Sequence, residues 1–292
     1  MAKIRVSTNP LYKGGAGGYS FYVRGGEQVV RQRRNNSNYG ETASRTFPQM
    51  VRRVKWSNLV NMYKVFRAWM PKAFETKDPG QTDYNAFMSL NTNTVTAALT
   101  KDMSLGDNCV IEGVQISRGT LPAVGLVATP SLQAYKSDIV ITEEPDSSTT
   151  VADVSADILA NNPAFREGDN IAFIKFANYK EPRVEWPVAL SYYAELTLSL
   201  TDTRLLSAVP GMSGMISKTS DNYIIVPETV TNEVGAAIIH TRKVSNSLAV
   251  STQSIEMISE SLITEYSGDA WVMTCIETYG LDQTVLLDPG ND

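Results

Sequence analysis

The spacing of apolar positions changes character along the chain. Residues 47–70 hold the clearest helical pattern, with Val51, Val54, Met62, Val65, Phe66 and Trp69 recurring at helical spacing. Arg52, Arg53, Lys55, Lys64 and Arg67 supply the polar faces. Thr46 suits the N-cap, and Gln49 three residues on completes a capping box. Pro48 falls in the first turn, where its missing N–H costs little, and Pro71 stops the helix. A second short helix is expected over residues 84–90, with Tyr84, Phe87 and Met88 on one face. From about residue 105 the period drops to two. Strands are expected over 110–116, 124–128, 138–142, 171–177, 194–200, 223–226, 236–241 and 248–251, the last two as a hairpin. Residues 143–150 are acidic and rich in Ser and Thr and read as a surface loop. Arg166-Glu-Gly-Asp-Asn170 reads as a turn feeding a buried strand, and 207–220, with Pro210, Gly211 and Gly214, as a long loop. Ser267 is expected to cap a helix over 268–279 that Gly280 ends.

The first 46 residues follow neither period for long. Glycines cluster at Gly14, Gly15, Gly17, Gly18, Gly25 and Gly26, and between them lies the alternating aromatic stretch Tyr19-Ser-Phe-Tyr-Val-Arg24. With the following Glu27-Gln-Val-Val-Arg31 it makes a β-hairpin around Gly25-Gly26. A lone two-stranded hairpin is marginal in water, so it needs a surface to pack on. The expected class is therefore α+β. An extended basic arm (1–46) is followed by a helical segment (47–100) and a mainly β body, sandwich or barrel, with a short C-terminal helix (101–292).

Charge sharpens this division. Residues 1–72 hold 14 Lys and Arg against 2 Asp and Glu, or +12, and the remainder holds 12 against 29, or -17. A basic quarter joined to an acidic body can attract copies of itself head to tail, or hold a polyanion by its arm. Residues Tyr19, Phe21, Tyr22, Arg24, Arg31, Arg33, Arg34, Tyr39 and Arg45 are the candidate contact residues of the arm. Strand addition along Tyr19–Arg24 would supply affinity, and the arginine forks would meet carboxylates of a neighbour. Phosphate contact by the arginines, with stacking by the aromatics, is the competing use.

Composition closes most catalytic routes. His240 is the single histidine, so a histidine-based zinc site is excluded and any Ser-His-Asp or Cys-His arrangement would have to use it. No motif pairs it with a nucleophile, and the reading is a structural strand residue. Cys109 and Cys275 form no pairing pattern. Gly14-Gly-Ala-Gly-Gly18 lacks the Lys-Ser/Thr of a phosphate loop and the strand and helix of a dinucleotide fingerprint. No catalytic, cofactor or metal residues are assigned. The start of the chain shows no apolar signal segment and no run approaches a membrane span, so neither secretion nor membrane insertion is expected.

Several motifs carry a resemblance. They are the Gly-Gly-x-Gly-Gly stretch with Ser20-Phe-Tyr-Val-Arg24, the Arg/Asn-rich residues 31–39, and Gln49-x-x-Arg-Arg-x-x-Trp-x-Asn-Leu-Val60. Asp83-Tyr-Asn-Ala-Phe-Met-Ser-Leu-Asn91, Gly235-Ala-Ala-Ile-Ile-His-Thr-Arg-Lys243 and Leu248-Ala-Val-Ser-Thr-Gln253 complete the set. The layout resembles proteins of Bacteroidota and of their crAss-like tailed phages, in particular the ring proteins stacked below the portal in the tail barrel. The resemblance implies a non-enzymatic virion subunit assembled in the host cytoplasm. It would stand in a closed ring of about twelve copies, against stacked portal or tail proteins, with DNA passing the lumen. The alternatives are a surface or carbohydrate-binding β-module, or a nucleic-acid-binding accessory protein, of a mobile element.

Overall fold

The computed structural model describes residues 2–4, 14–16, 19–24, 27–32, 47–180, 186–228, 233–245 and 247–280. Among them the architecture is α+β with a mainly β body. Strands β1 (Ala2–Ile4), β2 (Gly14–Ala16), β3 (Tyr19–Arg24) and β4 (Glu27–Gln32) form the arm's sheet in the order β1-β4-β3-β2. Helices α1 (Phe47–Phe66), α2 (Asp83–Asn91) and α3 (Lys101–Leu105) follow. The body's strands are β5 (Gln115–Ser117), β6 (Leu126–Thr129), β7 (Ala134–Val140), β8 (Asn170–Tyr179), β9 (Val188–Thr197), β10 (Ser217–Lys218), β11 (Tyr223–Pro227), β12 (Glu233–Val244), β13 (Ser247–Val250), β14 (Gln253–Ser254) and β15 (Glu256–Met257). Helix α4 (Val151–Asn161) lies between β7 and β8, and α5 (Ser261–Ser267) and α6 (Asp269–Glu277) follow β15.

The body is layered. One antiparallel sheet runs β13-β12-β8-β9, with β15 also on β12, and a second runs β10-β11-β7-β6. Alternation along the first sheet sends side chains to two hydrophobic cores. Ala172, Ile174 and Phe176 of β8 and Ala237 and Ile239 of β12 join Leu59, Met62 and Phe66 of α1 and Phe87 of α2. Ile171 and Phe173 of β8 and Ala236 and Ile238 of β12 join Tyr135 and Ile139 of β7, Ile224 and Val226 of β11, and Val154 and Ile158 of α4. The middle sheet is thus covered by helices on one face and by a second sheet on the other. This explains why β8 reads as a nearly continuous apolar run and not as an alternation. Residues of the 47–100 segment and of the β body share one core. Of the sandwich and barrel expected from sequence, the open strand orders correspond to a sandwich, with a helical layer added.

Several local expectations need correction. The alternation over 110–116 makes a strand only at Gln115–Ser117, because asparagine side chains take the place of a partner strand. Asn58 Nδ2 donates to the Val110 carbonyl and its Oδ1 accepts from Val110 N–H, both at 2.9 Å. Asn178 accepts from Ile111 N–H at 2.7 Å and donates to the Cys109 carbonyl at 2.9 Å. Asn91 pairs both ways with the Gln115 backbone at 2.8 Å. Glu112, buried beside them, accepts from Asn58, from the N–H groups of Thr96 and Ala97 and from the Thr96 hydroxyl; burial pushes its carboxyl up despite these bonds.

Loop 207–220 is not a free excursion: Val209, Met212 and Met215 are buried in the sheet–sheet core, and Ser217–Lys218 pairs as β10. Helix α4, which the strand-oriented reading leaves unassigned, starts with a Thr150/Asp153 capping box. The C-terminal helix is two helices. Ser267 is the last residue of α5, so Gly268 occupies the N-cap of α6, and Gly280 at φ +80° ends the segment as expected. The Thr46 cap lies outside the described residues. Helix α1 ends at Phe66, before a short 3-10 turn over Met70–Lys72 that contains Pro71.

Candidate interaction surface

The hairpin exists in the expected register, with Tyr19 opposite Gln32 and Arg24 opposite Glu27. Tyr19–Arg24 is expected from sequence to add as an edge strand to another sheet, but its first half is not an edge. Strand β2 pairs Gly14, Gly15 and Ala16 with Phe21, Ser20 and Tyr19, so the first half of β3 is flanked on both sides. The outer strands of this sheet are Ala2–Ile4 and Gly14–Ala16. Tyr19 is 53% exposed, Phe21 and Tyr22 are half-buried, and the exposed Arg31 places its guanidinium 6.0 Å from the Tyr22 ring centroid. Arg24 is placed by its backbone pairing alone. Arg33, Arg34, Tyr39 and Arg45 lie outside the described residues. Val29 is buried and is not among the residues of the body's four hydrophobic clusters.

A second surface lies on α1. Arg52, Arg53, Lys55, Trp56 and Leu59 of that helix, with Thr92, Asn93 and Val95 after α2, line a cleft of about 480 Å³. The helix is held in place by its buried side, where Met50 and Val54 meet Val272, Cys275 and Ile276 of α6. Arg53 stacks over Tyr279 at 4.9 Å, and the Tyr279 hydroxyl bonds Ser57 and Ser104. This packing turns Arg52 and Trp56 outward, Trp56 being 40% exposed. From sequence, Arg52 and Arg53 are assigned to the helix's polar faces and Trp56 only to the Gln49–Val60 motif, with no contact role. Its place one turn beyond Arg52 on the polar face was the available signal.

His240 occupies a buried ionic cluster. Its Nε2 lies 2.8 Å from Asp169 Oδ2, which also accepts from Arg242 Nη2 at 2.6 Å; Arg242 Nε donates to Oδ1 at 2.8 Å. Asp169 further accepts from Arg166 N–H, and the Phe165 ring lies 4.5 Å from the imidazole. The His240 and Asp169 side chains are 1% and 2% exposed. Burial holds the imidazole below its ordinary pKa, although Asp169 pulls the other way. Burial also acts on Asp169, but the bonds from Arg242 and His240 outweigh it and leave the carboxyl below its ordinary value. The nearby Ser251 hydroxyl accepts from the His240 backbone N–H, not from the ring. The geometry is that of a clamp: it joins the residue before β8 to β12 where His240 pairs with Ile171.

Among the described residues no helix is long and apolar enough to cross a membrane. No protein-family model, curated protein or solved structure matches the chain.

Proposed function

We propose that the chain is a non-enzymatic structural subunit that assembles into a homo-oligomeric ring, in the portal-proximal tail barrel of a tailed phage virion. The observation that carries this reading is the arm. It folds into a sheet of its own, and among the described residues no side chain of the arm belongs to a hydrophobic cluster of the body. A basic extension of this kind adds contact area outside the subunit's own core, and the acidic remainder of the chain gives it a complementary target on the next copy. A head-to-tail contact between two different patches closes into a ring when the rotation allows. The phage assignment rests on the sequence motifs; the assembly reading rests on the arm and the charge split.

The test is size-exclusion chromatography with light scattering, and negative-stain electron microscopy, of the full chain and of a chain lacking residues 1–45. The full chain is expected as rings and the shortened one as a folded monomer. Equal assembly of both would remove the arm from the interface, and a full chain that stays monomeric at every concentration would sink the assembly reading.

A further inference from the structure

The α1 cleft is a second place where the subunit is incomplete on its own. Arg52 stands one turn from both Lys55 and Trp56, and Leu59 and Val95 give the cleft an apolar floor. Among the described residues neither Arg52 nor Lys55 forms an ion pair, although pairs form elsewhere on the surface. The cleft therefore presents unneutralised positive charge around an exposed indole, a combination enriched where proteins bind one another.

The chain carries a matching surface. Around the loop between β7 and α4 stand Glu143, Glu144, Asp146, Asp153, Asp157 and Asp202. The two cations beside them are already engaged, Lys218 with the Thr142 carbonyl at 2.9 Å and Arg204 with Asp202 at 2.6 Å. The loop is built to hold its shape. Asp146 Oδ1 accepts from the N–H groups of Ser148 and Thr149 at 2.8 and 3.0 Å, and Asp157 Oδ2 accepts from those of Thr142 and Glu143 at 2.7 and 3.0 Å. Glu143 and Glu144 remain exposed, and Leu205, 43% exposed, is bridged to Thr150 at the loop's end.

We propose that the acidic loop of one copy seats in the α1 cleft of the next, with Glu143 and Glu144 meeting Arg52 and Lys55, and Leu205 on the Trp56 ring. This rests on the assembly reading above and assigns it a second contact beside the arm. A rigid acidic loop entering a preformed basic cleft loses little conformational freedom on docking. Its charges speed and orient the encounter, while the buried indole slows dissociation.

The experiment uses two charge reversals of the full chain, R52E/K55E and E143K/E144K. All four side chains are exposed or half-exposed, and unchanged circular dichroism verifies that each variant folds. Each variant alone should need at least about tenfold more protein to assemble. An equimolar mixture should co-assemble, because every reversed loop then meets a reversed cleft. Assembly of R52E/K55E alone at the wild-type concentration overturns the cleft contact while leaving the ring intact. A mixture that stays monomeric overturns it equally. Should R52E/K55E assemble normally but lose a labelled single-stranded oligonucleotide that wild type binds, the cleft is a nucleic-acid site and not a subunit contact. A wild type that never assembles overturns the assembly reading itself, and the contact with it.

Discussion

The arm's β3–β4 hairpin and the body's β8–β12 pair are both antiparallel ladders of ordinary register, yet they stand in opposite physical situations. Strand β8 is buried along nearly its whole length, each face against a different core. In the hairpin only Gln28 and Val29 are buried among the residues whose side chains are described. Hydrogen bonding is similar in the two; apolar burial is not. Apolar burial therefore concentrates stability in the middle sheet, and the described hairpin contributes little to it.

The largest expected effect comes from the middle sheet. Phe173→Ala opens a cavity at a fully buried position between the sheets and should cost about 3–5 kcal/mol, read as a fall in the urea midpoint. If it costs no more than an arm substitution, the contrast collapses. Next comes the clamp. Asp169→Asn removes the carboxylate that Arg242 and His240 share and should cost about 3 kcal/mol, because Arg242 loses its counter-charge and the His240 ring its carboxylate partner.

The same cluster predicts a pH dependence with a definite sign. Because the folded imidazole lies below its ordinary pKa, the unfolded chain takes up the proton first. The stability linked to His240 is complete above the ordinary value of 6.5 and declines as pH falls through the folded value. Asp169 adds a further loss below 3.8 as its depressed carboxyl protonates. His240→Gln should flatten the first decline and leave the second; an unchanged profile would place the titrating group elsewhere. The smallest effect is expected in the arm: Phe21→Ala should shift the body's unfolding by less than about 0.5 kcal/mol. A larger shift would mean that the arm packs on its own body.

Much of this contrast was legible in the sequence. The periodicity of α1 and the apolar runs of β8 and β12 each follow from one local rule applied to the residues themselves. The loop Glu143 to Thr150 and the turn at Gly168, φ +86°, were equally plain. What local rules missed was decided by partners distant in sequence. Residues 110–114 alternate like a strand but find side-chain amides in place of a neighbouring strand. Helix α4 contains Val151, Val154 and Ile158, whose helical spacing competes with their preference for strands, and its capping box was the decisive sign. Asp169 and Arg242 stand 73 residues apart, so their joint clamp on His240 was invisible before the sheet brought them together. The arm's outer strands were missed for a related reason: three-residue strands, one Ala-Lys-Ile and the other Gly-Gly-Ala, carry almost no pattern.

The asparagine contacts around residues 108–115 have a consequence in time. Two strands can begin to pair as soon as their segments meet. This segment cannot, because its amide partners ride on α1, α2 and β8, which must already be docked. In refolding, the amide protons of Val110, Ile111 and Gln115 should gain protection after those of β8 and β12. A one-residue slip of β8 would turn Asn178 to the other face and leave the Ile111 N–H without its acceptor. The segment is thus expected to close after the middle sheet, and only over a sheet whose strands have met in the correct register.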